Sequence, residues 1–270
     1  MKHFSNMVAE FSNDWDNHYM NGQQMLVIVP TYNEAQSAPR LIAAVLELLP
    51  ALHILVVDDG SPDGTADICQ SIADADSLGR VHVMRRAGKQ GLGSAYIAGF
   101  GWGTARGYKA MIEMDADGSH RPVDLVAMVA AFDSDESIDC VIGPRWMPGG
   151  KVVNWAKQRE ALSRGANKYA KFMLGLKVND ITAGFRVYRT SLLAKIDFAT
   201  VVSEGYCFQI EMTRKVVALG AKIKEVPITF VEREFGVSKM SGNIVIEAMS
   251  RVTVWGLQRA LNVFGRNNAR

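Results

Sequence analysis

The chain has little of what staples or anchors a protein. Its three cysteines, Cys69, Cys140 and Cys207, lie far apart and form no Cys-x-x-Cys pair. That excludes a disulfide framework and a cysteine zinc site, and it suits a reducing compartment. The five histidines are scattered, so a histidine-built metal centre is not expected. No stretch reaches the ~18 uninterrupted apolar residues of a membrane span, and residues 1–22 are polar, without the apolar core of a signal peptide. The net charge of +2 leaves no chain-wide field for a polyanion.

What is present is an apolar content of 48% over 270 residues. This is enough for one large α/β domain with an appendage. Apolar runs at Met25–Pro30, His53–Val57, Val81–Met84, Met111–Met114 and Ile138–Ile142 read as buried strands. Helical spacing falls between them at Ala38–Leu49, Thr65–Ala75 and Ser94–Arg106, and Pro122 opens another helix at its favoured first-turn position. The alternation predicts a mostly parallel sheet covered by helices on both faces. Further along, Lys157–Leu176 and Phe208–Leu219 read as helices, and Phe185–Tyr188 and Lys222–Val231 as strand regions. Asn243–Phe264 reads as a long amphipathic helix. The expected organisation is a poorly ordered extension over 1–22, a compact domain over 23–242, and a C-terminal amphipathic helix and tail over 243–270.

The strand at Met111 ends in Asp115-Ala116-Asp117-Gly118. Ligands of open α/β sheets bind beyond the carboxyl ends of the strands. In an extended segment, residues i and i+2 point to the same side, so Asp115 and Asp117 can face one hard cation. Mg²⁺ takes one or two protein carboxylates and completes its shell with substrate phosphates and water. Two aspartates after a strand also serve an ordinary turn. Their company argues for more. The first strand leads into Pro30-Thr31-Tyr32-Asn33-Glu34, and the second into Asp58-Asp59-Gly60-Ser61-Pro62-Asp63-Gly64-Thr65. These loops should converge at one sheet edge. There they offer carboxylates for a base or ribose, an aromatic ring and a metal pair, which are the needs of a nucleotide diphosphate.

These loops resemble the signature loops of inverting glycosyltransferases of the GT-A fold. More narrowly, they are similar to those of the dolichol-phosphate or polyprenol-phosphate mannose synthases, in their bacterial, actinobacterial variant. The likeness runs from about Met25 to about Arg259. It continues through Gly143-Pro144-Arg145, Arg159 to Asn167, Asp180 to Arg186, Glu204-Gly205-Tyr206, Phe208 to Glu211, and Arg233-x-x-Gly236-x-Ser238-Lys239. The resemblance implies that Pro30, Tyr32, Glu34, Val57, Asp58 and Asp59 bind the nucleoside of GDP-mannose. It implies that Asp115, Ala116 and Asp117 hold ribose, diphosphate and a divalent cation (Mg²⁺ or Mn²⁺), with Asp115 and Asp117 as metal ligands. Arg233 and Lys239 would close over the donor phosphates. Arg145, Arg159 and Ser163 would bind the phosphate of a polyprenyl phosphate in the membrane, which makes Asp117, Arg145 and Arg159 the residues on which catalysis depends. Some members use a Gln two residues after the second Asp as a further metal ligand; here that position is Ser119.

The chemistry agrees with the residue inventory. A phosphate monoester has a second pKa near ~6 and is mostly dianionic at pH 7, so it needs no general base, and the lack of an obvious catalytic histidine is expected. The reaction needs two anions positioned and the leaving diphosphate neutralised. Arginine forks match phosphate oxygens. A single displacement inverts the anomeric carbon.

Two segments could reach lipid without a span. Lys157, Arg159, Arg164, Lys168, Lys171 and Lys177 are interleaved with Leu162, Tyr169, Phe172, Met173 and Leu174. In the C-terminal helix, Val245, Met249, Val252, Ala260, Val263 and Phe264 lie opposite Glu247, Arg251, Gln258 and Asn262. A basic face opposite large apolar residues suits a membrane interface; packing on the domain, or docking on an integral-membrane partner, would use the same residues. The expected location is cytoplasmic, peripheral on the inner face of the cell membrane. The rival readings are a UDP-glucose-dependent polyprenyl-phosphate glucosyltransferase and a nucleotide- or nucleic-acid-binding module. A processive polysaccharide synthase is disfavoured, because no Gln-x-x-Arg-Trp motif is found. No nucleic-acid partner is expected.

Overall fold

The structure is a computed structural model that describes residues 25–201, 203, 205–233 and 242–267. The extension over 1–22 and the residues Glu204, Gly236, Ser238 and Lys239 lie outside the described residues.

The strands are β1 (Met25–Thr31), β2 (His53–Asp58), β3 (Val81–Arg85), β4 (Ala110–Glu113), β5 (Cys140–Ile142), β6 (Lys151–Val153), β7 (Arg186–Arg189), β8 (Ile223–Glu225) and β9 (Thr229–Val231). The helices are α1 (Ser37–Leu48), α2 (Thr65–Ala75), α3 (Leu92–Ala105), α4 (Pro122–Asp133), α5 (Lys157–Leu174), α6 (Thr190–Leu193), α7 (Gly205–Ala218) and α8 (Gly242–Asn267). The main sheet runs β3-β2-β1-β4-β7-β5-β8. Its pairings are parallel except at β7, which is antiparallel to both β4 and β5. The sheet is α/β and mostly parallel, as the alternation predicts.

The order reverses at β1. β2 and β3 lie to one side and β4 to the other, so the loops after β1, β2 and β4 open at one edge on both sides of this crevice. β7 enters the sheet at that same edge, because Arg186 pairs with Glu113 and with Ile142. A small second sheet, β6 with β9, flanks the edge.

Both faces of β1 are apolar and covered. Met25, Val27 and Val29 join a core layer with Leu41, Ile42, Val45, Cys69 and Leu125. Leu26 and Ile28 join the opposite layer with Tyr96, Phe100, Ala170, Phe208 and Val252. α3 sits close on this second side because of its glycines. A Cβ on Gly99 would come 2.6 Å from Ile28 Cγ2, and one on Gly103 2.9 Å from Leu26 Cδ2.

α5 and α8 pack side by side in parallel. Tyr169 Oη and Thr253 Oγ1 are 2.7 Å apart, and Met173 fills the space above Gly256. Ala248 and Val252 turn inward and are buried. The outward apolar stripe of α8 differs from the face read from the sequence. Val252 packs inward, and Val254, Leu257 and Leu261 are exposed instead. The reason is that two neighbours, α5 and α7, take up the arc that a single buried face would leave free. Val245, Val263 and Phe264 lie outside the described side chains.

Candidate active site

The loop after β1 and the loop after β2 are tied together by side chains. Asp58 accepts Thr31 Oγ1 at 2.9 Å, Ser61 N–H at 2.9 Å and Ser61 Oγ at 2.6 Å. Ser61 Oγ in turn accepts the N–H of Asn33 at 3.0 Å. Asn33 has a φ of 59°, in the left-handed region that asparagine tolerates better than most residues. Thr65 Oγ1 accepts the N–H of Glu34, and Asp63 accepts the N–H groups of Ala35 and Thr65. Asp63 therefore caps α2 from just outside its glycine N-cap. Glu34 Oε2 accepts Ser37 Oγ at 2.6 Å. Lys89 Nζ stands 4.8 Å from the Tyr32 ring centre. Asp59 accepts Arg86 Nη1 at 2.7 Å and Gln90 N–H at 3.1 Å. Val57 is wholly buried in the core, below the rim where Pro30, Tyr32 and Asp59 stand.

The third loop carries the aspartates. The Asp115 N–H donates to His120 Nδ1 at 3.0 Å, and Tyr96 Oη donates to Asp115 Oδ1 at 3.2 Å. His120 is stacked on Phe185 with ring centres 4.6 Å apart. Burial holds its pKa below the usual histidine value, so it stays neutral. His120 is a clasp of the turn: the nitrogen nearer Asp115 is already an acceptor for the main chain. The Ser119 N–H donates to Asp117 Oδ1 at 3.0 Å, and Arg233 Nη2 lies 3.1 Å from Asp117 Oδ2. The Asp115 side chain is 32% exposed. Burial, with the charge of Asp117 adding to it, pushes its pKa up against the opposing pull of Tyr96 and Arg233.

These observations test the site as a cation site. Two carboxylates on one turn, one of them resisting ionisation, are stabilised by a divalent cation. The hydroxyl of Ser119, two residues beyond Asp117, is buried without a hydrogen-bond partner. Among the described residues no cluster of three or more His, Cys, Asp or Glu offers a closed metal cage. The residues present fit a hard cation held by a carboxylate pair, with phosphate oxygens and water filling the remaining positions.

Below the pair lies a buried polar layer that sequence reasoning missed. Glu113, the last residue of β4, is fully buried and accepts Gln209 Nε2 at 2.9 Å. Burial pushes its pKa to about 8, with Arg186 and Gln209 opposing. Arg186 is also fully buried, donating to the carbonyls of Ala183, Ile181 and Gln209 and to Tyr188 Oη. It is an internal strut and does not reach the crevice.

The basic residues divide. Arg145 is buried. Its Nε and Nη2 donate to the two oxygens of Asp180 at 2.7 and 3.1 Å, and Nη2 also reaches Thr182 Oγ1 at 2.7 Å. Its guanidinium is boxed by Trp146, Trp155 and Phe230, at 5.2, 5.8 and 5.3 Å from the ring centres. Arg159 is nearer the surface. It lies 4.0 Å above the Trp155 ring centre and donates to Glu232 at 2.9 Å. Ser163 follows one turn later and is half-buried. Phe230 meets His120 edge-on at 5.5 Å and Trp155 at 5.4 Å. The aspartate turn and the Arg159 end of α5 are therefore neighbours across β9. Arg86, Trp155 and Glu232 were not picked out from sequence. Arg86 follows β3 at the same edge, so the sheet-edge rule could have found it. Nothing local marks the other two.

The cysteines are all buried and free. Burial pushes the Cys140 thiol up to about 12 and the Cys69 thiol to about 11, so neither is a nucleophile at neutral pH.

Residues 26–197 match the family described as Glycosyl transferase family 2. The chain belongs to that family. It is a glycosyltransferase with a GT-A fold. It is 52% identical over 240 residues to the polyprenol monophosphomannose synthase of Mycolicibacterium smegmatis, covering 89% of each chain. It is 50% identical over 234 residues to the undecaprenyl-phosphate mannosyltransferase of Micrococcus luteus, covering 87% of this chain and 94% of that one. The chain thus falls within the polyprenol-phosphate mannose synthases. Among solved structures it resembles a glucosyl-3-phosphoglycerate synthase of Mycobacterium tuberculosis in complex with Mn²⁺ and UDP-glucose. That match has a TM-score of 0.64 at 17% identity, over 92% of this chain and 82% of that one. The mannosyl-3-phosphoglycerate synthase of Rubrobacter xylanophilus matches with a TM-score of 0.62 at 20% identity, over 90% of this chain and 75% of that one. At these identities the likeness is one of fold.

Proposed function

We propose that this glycosyltransferase moves mannose from GDP-mannose to a polyprenyl monophosphate, with inversion, at the inner face of the cell membrane. One observation carries the reading. Consecutive residues contact the two halves of the crevice: Arg233 pairs with Asp117 of the carboxylate turn, and Glu232 pairs with Arg159 of α5. A carboxylate pair suited to a metal-diphosphate thus lies beside an arginine suited to a phosphate monoester. Relatives at half identity named for mannosyl transfer to polyprenyl phosphates support the same assignment.

In this reading Pro30, Tyr32, Glu34 and Asp59 line the nucleoside cradle, with Val57 and Asp58 supporting it from below. Asp115 and Asp117 hold a divalent cation, with Ala116 between them against the ribose. The cation supplies Lewis-acid stabilisation of the leaving diphosphate. Arg233 and Lys239 add positive charge to the donor phosphates. Arg159 and Ser163 take the acceptor phosphate, with Arg145 behind them. Arg145 acts with Asp180 as a fixed cation that orients Trp155 and, through it, Arg159. The acceptor's phosphate oxygen attacks the anomeric carbon as the bond to the diphosphate breaks, and the bonding pair leaves with GDP. No side chain takes a proton, because the attacking oxygen is already anionic.

In this reading residues 23–242 carry the donor and acceptor sites, and α8, packed on the core through Ala248 and Val252, joins α5 in reaching lipid. Among the described residues no helix is long and apolar enough to cross a membrane. Phe172, Leu257 and Leu261 are nevertheless 80%, 57% and 71% exposed. They lie on two parallel helices beside Lys168 and Lys171, an arrangement that suits an interfacial anchor, or a groove of an integral-membrane partner, better than water.

Donor identity is tested by thermal shift with GDP and UDP in the presence of Mn²⁺ or Mg²⁺. A ligand at a hundred times its Kd stabilises the fold by about 2.7 kcal/mol. GDP should raise the melting temperature at concentrations where UDP does not. The reverse ranking would replace GDP-mannose by a uridine-linked donor such as UDP-glucose.

A further inference from the structure

Tyr96 carries a hydroxyl into an apolar layer. It is fully buried in the core layer on the α3 side of the sheet. Its ring is stacked between Phe100 and Phe208, with ring centres 6.3 and 6.1 Å away. A phenylalanine would fill that space with no hydroxyl to satisfy, and a hydroxyl buried without a partner costs free energy. The partner is a carboxylate of the crevice: Tyr96 Oη donates to Asp115 Oδ1 at 3.2 Å.

The ring that delivers this hydroxyl has little freedom. α3 begins at Leu92, one turn before Tyr96. A Cβ on Gly93 would come 2.7 Å from Phe208 Cδ2, so the start of the helix is pressed onto the ring against which Tyr96 stacks. Further along, Gly99 lies directly on Ile28 of β1. The hydroxyl therefore stands at a fixed point beyond the end of β4.

Asp115 is held twice as a result. Its N–H donates to His120 Nδ1 at 3.0 Å, which fixes the main chain, and its Oδ1 accepts from Tyr96, which fixes the side-chain torsion. Asp117 is held differently, by the Ser119 N–H within its own turn and by Arg233. One carboxylate of the pair is thus tied to the packed core and the other to its own turn and to the residue after β9. A ligand fixed before the ion arrives loses less freedom on binding. Partners that orient a metal ligand from behind contribute about 10–100-fold in metal affinity.

We infer that Tyr96 is a positioning residue for the cation: its hydroxyl holds the Asp115 carboxylate in the orientation that receives the metal. The inference rests on the reading of Asp115 and Asp117 as a cation pair. It extends that site to a side chain in the core that touches neither the cation nor the donor.

The test is Tyr96→Phe, which removes the hydroxyl and keeps the ring. Mn²⁺ is titrated into the GDP complex of the full chain and read by loss of the free-ion electron paramagnetic resonance signal. GDP binding is measured separately by calorimetry in EDTA, and the melting temperature without cation reads the fold. In Tyr96→Phe, Mn²⁺ should bind about tenfold more weakly than in the wild type. GDP affinity in EDTA should stay within about twofold, because the hydroxyl does not touch the nucleotide. A purely structural role would lower the melting temperature and the GDP affinity in EDTA and leave Mn²⁺ affinity in place, and that outcome overturns the inference. If the wild-type GDP complex binds Mn²⁺ and Tyr96→Phe binds it equally well, the cation reading stands and the inference alone falls. If the wild-type GDP complex binds no Mn²⁺, the cation reading fails and the inference with it.

Discussion

Asp180 accepts both Nε and Nη2 of Arg145, and the two side chains are buried together behind the crevice. Burial opposes ionisation of Asp180, but the Arg145 charge and the hydrogen bonds from Arg145 and Thr182 hold its carboxyl below the usual range. Removing one partner of such a pair leaves an uncompensated buried charge, at a cost of about 3–5 kcal/mol. Asp180→Ala should therefore unfold at markedly lower denaturant than the wild type. An unchanged midpoint would show that Arg145 finds another partner at no cost.

The Asp117→Ala variant should keep its fold and lose its cation site. Asp117 is buried but belongs to neither apolar core layer, so its loss opens no cavity in the core. Loss of several kcal/mol of stabilisation at the leaving group corresponds to at least about a hundredfold in turnover. Calorimetry with GDP and Mn²⁺ reads the same defect without turnover. Activity within about threefold of wild type at saturating cation would remove Asp117 from the site.

Glu113 makes stability fall as pH rises. Its folded pKa of about 8 lies above the ordinary value of 4.5. The folded state holds a proton that the unfolded chain gives up, so the contribution is full below about pH 4.5 and is lost as pH climbs toward 8. Glu113→Gln keeps the acceptor for Gln209 Nε2 and removes the titration. Its melting temperature should exceed that of the wild type by a few degrees at pH 9 and converge with it at pH 5. Parallel curves across that span would contradict the account.

The lipid-facing reading of α5 and α8 is tested without truncation, because Ala248 and Val252 make α8 part of the core. The wild type should sediment with vesicles containing anionic lipid. The interaction should weaken with salt, since near-surface Lys and Arg contribute about 1 kcal/mol each and are screened beyond a Debye length. Phe172→Ser with Leu257→Ser should release the protein from vesicles while leaving GDP binding intact. A wild type that ignores vesicles at low salt would instead require a protein partner at the membrane.

The fold was largely legible from apolar runs and helical spacing, because β1, β2 and β4 are buried on both faces and each helix between strands needs one apolar side. β6 and the short α6 were not, since three or four residues carry no period. The reversed direction of β7 was also hidden: Phe185–Tyr188 reads the same in either direction, and only its pairing with Glu113 and Ile142 settles it. At the site, the Asp115–Asp117 turn was visible as carboxylates ending an apolar run. The depth of Arg145 was not, because it depends on Asp180, Trp146, Trp155 and Phe230 meeting from four separate segments. Glu232 was invisible for the same reason: its partner lies 73 residues away in sequence.

The central claim is mannosyl transfer to a lipid phosphate, and product formation tests it most directly. The chain should be incubated with Mn²⁺, a short polyprenyl phosphate and either radiolabelled GDP-mannose or radiolabelled UDP-glucose, and the label extracted into organic solvent. The account predicts lipid-extractable label from GDP-mannose that requires both the cation and the polyprenyl phosphate, and in which the mannose is β-linked. Label that passes from UDP-glucose and not from GDP-mannose, or an α-linked product, would contradict it.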